Sequence, residues 1–124
     1  MKLYIFKICP FVEKTKILLH VKKLNCEFCE VNIRSKPEWY VQLTPEATVP
    51  LLEAKDLDGK TRFINESSII CDYLDEISGT SLYPNDPVKK AFNKLWINKA
   101  DTLVFDAYHM THAKSEAAFN RLLA

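Results

Sequence analysis

Residues 3–33 run from apolar strand to thiol, proline-led helix and second strand, and no other stretch of the chain restricts its fold so tightly. The run "LYIFKI" at 3–8 is rich in β-forming side chains and too short for a helix, so it reads as a strand covered on both faces. It ends at Cys9-Pro10. Proline suits the first turn of a helix, where its missing N–H has no acceptor to lose. From Pro10 the residues Ile17, Leu18, Val21 and Leu24 recur at helical spacing, while Glu13, Lys14, Lys16, Lys22 and Lys23 are left to water. "EFCEVNI" at 27–33 then reads as a second strand. A right-handed crossover makes the two strands parallel neighbours.

Beyond this βαβ unit, "KPEWYVQL" reads as a short helix that stops before "TPEATVP". "VPLLEA" and "TRFIN" flank "KDLDGK", where Asp58-Gly59 supplies the residue tolerant of positive φ that a hairpin turn needs. After Glu66-Ser67, the residues Ile69, Ile70, Tyr73, Leu74 and Ile77 mark one face of a further helix, closed by Gly79. The order β-α-β-α-β-β-α defines an α/β domain over residues 1–79. Residues 80–124 form a linker and the first helices of an incomplete α-helical segment, with Asp86-Pro87 as the helix start and "KSEAAFNRLLA" opening another helix. The long helix carries Phe92, Trp96, Phe105 and Tyr108, more bulk than one isolated helix hides from water. Self-association is therefore expected, with a homodimer as the simplest form.

The chain has 124 residues, 48% of them apolar and 27% charged, which suits a packed globular protein. Seventeen basic and sixteen acidic side chains leave a formal charge of +1, which gives no electrostatic reason for a nucleic-acid or anionic-membrane partner. No apolar run reaches the roughly 18 residues of a membrane span. The expected location is cytoplasmic, where Cys9, Cys26, Cys29 and Cys71 are reduced thiols.

Cys9 stands where a helix begins. Unbonded backbone N–H groups and the helix dipole favour negative charge there, and such a position can lower a thiol pKa from about 8.5 into roughly the 3.5–7.5 range. Lys7, Lys14 and Lys16 would strengthen that field. A half-buried structural cysteine fits the position equally well. Val12 occupies the place of the second thiol in a Cys-x-x-Cys pair, so an intramolecular dithiol cycle is closed off and a reactive Cys9 would work through a mixed disulfide with a small thiol.

Three further places could hold that thiol. A cis bond at Val49-Pro50 would leave the N–H and C=O of Val49 open to a peptide-like ligand, although an ordinary trans proline at a strand start fits the dipeptide too. Glu66-Ser67 could bind an ammonium and a carboxylate, or serve as a plain N-cap. Lys36 could meet a second carboxylate, or remain a surface lysine. Cys26 and Cys29 have the spacing of half a zinc site but point to opposite faces of a strand, and His109 and His112 lack a third ligand, so no metal is expected.

The succession "CPF", "KPEWY", "TPEATVP", "NESSII" and "YLDEI…LYP" resembles the N-terminal half of a cytosolic glutathione transferase of the omega type, from Met1 to about Pro87. The resemblance implies a thioredoxin-like βαβαββα domain, a following helical domain, a cis Pro50, and glutathione as co-substrate. Cys9 would form the mixed disulfide, Val49 would pair with the cysteinyl backbone, Glu66 and Ser67 would hold the γ-glutamyl end, and Lys36 the glycine carboxylate. Tyr108 and His109 are expected to border an electrophile pocket. The implied chemistry is reduction of glutathione mixed disulfides, and of dehydroascorbate, with Tyr4 a sheet residue and not an activating hydroxyl. The alternative is a non-catalytic interaction module of the same fold in a transcription or translation complex. Two departures stand out: Ala47 where the family usually carries glycine, and Lys14 and Lys16 where it commonly carries arginine.

Overall fold

The computed structural model describes residues 1–123. The chain divides into two units, Met1–Leu82 and the segment from Tyr83 onward. The first contains β1 (Lys2–Ile5), α1 (Pro10–Val21), β2 (Glu27–Glu30), α2 (Glu38–Leu43), β3 (Leu51–Lys55), β4 (Thr61–Ile64) and α3 (Ser67–Ile77), in the order expected. Its sheet runs β2-β1-β3-β4. Strands β1 and β2 are parallel, with Lys2 opposite Glu27 and Ile5 opposite Glu30, whereas β3 is antiparallel to β1 and β4 to β3. At the hairpin the Asp56 carboxylate accepts from the N–H groups of Asp58 and Lys60, at 3.1 and 2.9 Å, and Gly59 takes φ +78°.

Both central strands bury both faces. On one face Leu3 and Leu52 pack with Leu19 of α1 and with Ile70 and Leu74 of α3. On the other, Tyr4 and Leu51 pack with Val31, Tyr40 of α2 and Ala47. Alternation along β1 and β3 sends successive side chains to opposite helical layers, which is why Leu3-Tyr4 and Leu51-Leu52 stand as adjacent apolar pairs.

Helix α1 is rotated from its expected phase. Val12, Thr15 and Leu19 face inward, while Ile17 and Val21 are exposed. Thr15 tolerates burial because its hydroxyl donates to the Phe11 carbonyl at 3.1 Å. Lys22 does not face water: its side chain is 7% exposed and its ammonium lies 2.6 Å from the Asp75 carboxylate. The same ammonium donates to the Thr80 carbonyl, and Asp75 also accepts from the Ser81 hydroxyl at 2.6 Å and the Leu82 N–H at 2.8 Å. Burial pushes the Asp75 carboxyl upward, but the bonds from Lys22, Ser81 and Leu82 outweigh it and hold the group below the usual carboxylate range. In α3, Ile70 and Leu74 are buried whereas Ile69 and Ile77 are exposed.

The second unit contains α4 (Pro87–Thr111) and α5 (Glu116–Leu123). Asp86 caps α4, its carboxylate accepting from Val88 and Lys89 at 2.8 and 3.2 Å. Tyr83 lies beneath the ammonium groups of Lys90 and Lys94, each 5.3 Å from its ring centre. No residue of α4 is buried, and Phe92, Trp96, Leu103, Phe105 and Tyr108 are all more than half exposed. The uncovered apolar surface expected for this helix is present.

Candidate functional site

Topology alone brings the site together. Because β1, β2 and β4 point the same way and β3 the opposite way, the C-terminal ends of three strands and the N-terminal end of β3 share one edge of the sheet. Cys9 follows β1, Lys36 follows β2, Val49-Pro50 precede β3, and Glu66-Ser67 follow β4. Cys9, Lys36, Val49-Pro50 and Glu66-Ser67 therefore lie along that edge.

Cys9 is half-buried and occupies the N-cap position of α1, with extended backbone (φ −90°, ψ 117°) and no capping side-chain bond. Its N–H donates to Phe6 O, and its carbonyl accepts from Val12 and Glu13, all at 3.1 Å. These bonds fix the sulfur at the mouth of the helix, 3.8 Å from the Val49 carbonyl oxygen. The three lysines expected around the thiol are engaged elsewhere: Lys7 with Glu30 at 3.3 Å, Lys16 with Glu13 at 2.7 Å, and Lys14 with the Ser68 hydroxyl at 3.1 Å.

The Val49-Pro50 peptide is cis. Its approach is shaped by two features the sequence did not disclose. Tyr40, fully buried, donates its hydroxyl to the Thr48 carbonyl at 2.6 Å. Ala47 is buried at φ +45°, a backbone region that costs an L-residue about 1 kcal/mol or more. The glycine expected at that position has a conformational reason, and here alanine carries the strain. The signal for Tyr40 was its place in "KPEWY", but a buried phenol's acceptor is invisible to sequence pattern.

Glu66 also has positive φ, +65°, immediately before α3. It occupies the N-cap position yet makes no capping side-chain bond, and Ser67 is the first helical residue, 7% exposed. The plain N-cap arrangement is therefore not what stands there. A strained residue at a helix start, its own side chain making no cap bond, is the kind of feature that gathers at binding sites. Lys36 is exposed, with its ammonium 3.4 Å from the Glu46 carbonyl.

The other candidates have surroundings of their own. Tyr4 is buried and donates to Glu53 Oε2 at 2.8 Å. Burial, then that carboxylate acceptor, hold its phenol well above the usual range, so it is a sheet residue as expected. Cys26 and Cys29 pack against the two opposite core layers, and burial raises the Cys26 thiol. Tyr108 and His109 belong to the second unit, near the end of α4, where Tyr108 stacks on His112 with ring centres 4.1 Å apart. Among the described residues no group of three or more His, Cys, Asp or Glu is placed to hold a metal ion, and no helix is long and apolar enough to cross a membrane.

Residues 3–82 match the family described as the N-terminal domain of glutathione S-transferase. Glutathione S-transferase omega-1 of Sus scrofa is 37% identical over 95 residues, covering 76% of this chain and 38% of that protein. Pyrimidodiazepine synthase of Drosophila melanogaster is 36% identical over 100 residues, covering 80% of this chain and 41% of that protein. The chain thus spans about two fifths of the length of these relatives. The crystal structure of glutathione transferase Omega 2C from Trametes versicolor superposes with a TM-score of 0.73 at 27% identity, over 98% of this chain and 57% of that one. With a thioredoxin-like α/β unit, a thiol at its first helix and a cis-proline at its third strand, the chain belongs to the glutathione S-transferase family, omega-like in its N-terminal domain.

Proposed function

We propose that the chain supports glutathione-dependent thiol transfer, with Cys9 as the nucleophile. The observation that carries this is the order of groups along one sheet edge: Lys36 beside β2, Cys9 and Val49 at β1 and β3, Glu66 and Ser67 beside β4. Four strands span about 14 Å, comparable with an extended tripeptide lengthened by a γ-linkage. The sequence glycine, cysteine, γ-glutamate runs across the same edge as carboxylate ligand, thiol with open peptide edge, and ammonium-and-carboxylate ligands. On this reading Lys36 takes the glycine carboxylate, Val49 with Pro50 the cysteinyl backbone, and Glu66-Ser67 the γ-glutamyl end.

In the first step the Cys9 thiolate attacks the glutathione sulfur of a mixed disulfide. The old S–S bond breaks, the leaving thiolate takes up a proton, and a Cys9–glutathione disulfide remains. A second glutathione thiolate then attacks the glutathione sulfur, releasing oxidised glutathione and restoring the Cys9 thiolate. Dehydroascorbate is the other proposed oxidant, its two electrons coming from two glutathione molecules. The two curated relatives bear the names of different activities, so the second substrate depends on more than the site edge. Tyr108 and His109 are proposed to border its pocket, within a cytoplasmic protein that pairs as a homodimer through the apolar face of α4.

The test is a thioltransferase assay on a glutathionylated small disulfide with wild type and Cys9→Ser. Loss of activity on the order of 10³-fold, with glutathione binding retained, is expected. Equal activity in the two proteins would sink the nucleophile assignment. Failure of wild type to bind glutathione would favour an interaction module.

A further inference from the structure

Tyr40 stands at the hub of one core layer. Its ring, fully buried, meets those of Tyr4 and Trp39 at 5.5 and 5.6 Å between centres and packs with Val31, Ala47 and Leu51. A ring so enclosed does not swing, and its hydroxyl keeps one place. Burial holds the phenol well above its usual range, so the group remains a donor at every working pH. Its acceptor is the Thr48 carbonyl, at 2.6 Å.

The Thr48 carbonyl and the Val49 N–H belong to one peptide unit, and that unit is trans. In a planar trans peptide the two groups point in opposite directions. Fixing the carbonyl onto the buried phenol therefore turns the Val49 N–H away from the core. Among the described residues that N–H has no acceptor, and the carbonyl of the same residue lies 3.8 Å from the Cys9 sulfur. The turn just before it is strained, with Ala47 at φ +45° and a single bond from its N–H to the Thr44 carbonyl at 3.1 Å. Such a turn persists only where its surroundings fix it.

We propose that Tyr40 is a positioning residue for glutathione: its hydroxyl holds the Thr48-Val49 peptide so that the Val49 N–H meets the cysteinyl carbonyl of the tripeptide beside Cys9. This rests on the glutathione reading above. The phenol acts through the peptide that it bonds and not on the ligand itself.

The experiment is an NMR titration of the isotope-labelled full chain with glutathione, followed amide by amide, for wild type and for Tyr40→Phe, which removes only the hydroxyl. In wild type the Val49 amide proton should move downfield as glutathione binds, and the Ser67 amide should respond with it. Tyr40→Phe should weaken binding about tenfold, the worth of one hydrogen bond. At saturation it should shrink the Val49 shift and leave the Ser67 shift in place. A merely structural loss would diminish both shifts alike; that result, or equal affinity in the two proteins, overturns the role of Tyr40 while leaving the glutathione site standing. Should Tyr40→Phe fail to fold, hydrogen exchange of the Val49 amide in wild type carries the test. Exchange should be fast before glutathione and slow after it, and protection before the ligand arrives overturns the proposal. Absence of glutathione binding by wild type overturns both.

Discussion

The helices of the first unit and the helix that opens the second begin in opposite ways. Helices α1, α2 and α3 start at Cys9, Pro37 and Glu66, none of which makes a capping side-chain bond. Helix α4 starts at Asp86, whose carboxylate closes two amides. An N-cap contributes about 1 kcal/mol, and a helix with no buried residue has few other sources of stability. Helices α1 and α3 have the core: Leu19, Ile70 and Leu74 anchor them to the sheet. Packing in the first unit releases the helix starts from holding themselves together, and three of them open onto one edge.

That contrast can be broken most forcefully in the core. Leu52→Ala should cost about 3 kcal/mol by chemical denaturation, while Leu103→Ala on exposed α4 should stay within about 0.5 kcal/mol. Comparable losses would show that α4 is packed in solution and would erase the distinction.

Acid sharpens it next. The folded pKa of Asp75 is held below the value of about 3.9 expected for the unfolded chain. Its stabilisation is therefore complete above that unfolded value and is lost as pH falls through the folded pKa. Urea midpoints measured from about pH 6 to about pH 3 should fall, and Lys22→Met should cost about 3 kcal/mol near neutrality by leaving a buried carboxylate without its cation, a loss that shrinks as acid protonates Asp75. A pH-independent midpoint would contradict this.

The smallest effect bears directly on the helix starts. Asp86→Ala should destabilise by about 1 kcal/mol and speed amide exchange in the first turn of α4. Glu66→Gly should stabilise by about 1 kcal/mol, because glycine adopts φ +65° without strain, and should weaken glutathione binding. Two substitutions at equivalent helix positions would thus have opposite signs. If Glu66→Gly destabilises, the strain assigned to that residue is wrong.

Much of this was legible in the sequence. Element order followed from short apolar runs, helical spacing and turn residues, and the succession from "CPF" to "NESSII" named the residues that the topology gathers on one edge. The phase of α1 was not legible, because Val12, Ile17, Leu18, Leu19 and Val21 cover more than one face and periodicity alone does not choose between them. Lys22 read as solvent-facing since its partner, Asp75, lies 53 positions away (75 − 22) in another helix; a lysine stem buries readily once its charge is met. The Lys14–Ser68 pair escaped for the same reason. Such pairs exist only after the sheet has brought distant segments together.

The open start of α3 has a bearing on how long the protein lasts. A carboxylate held there, as proposed, would stand in for the bond that Glu66 does not make, so its free concentration would enter the unfolding equilibrium, adding about 2.7 kcal/mol at a hundred times the dissociation constant. On the glutathione reading, a cell whose tripeptide pool runs low would lose this protein to proteolysis as well as starve it of reductant.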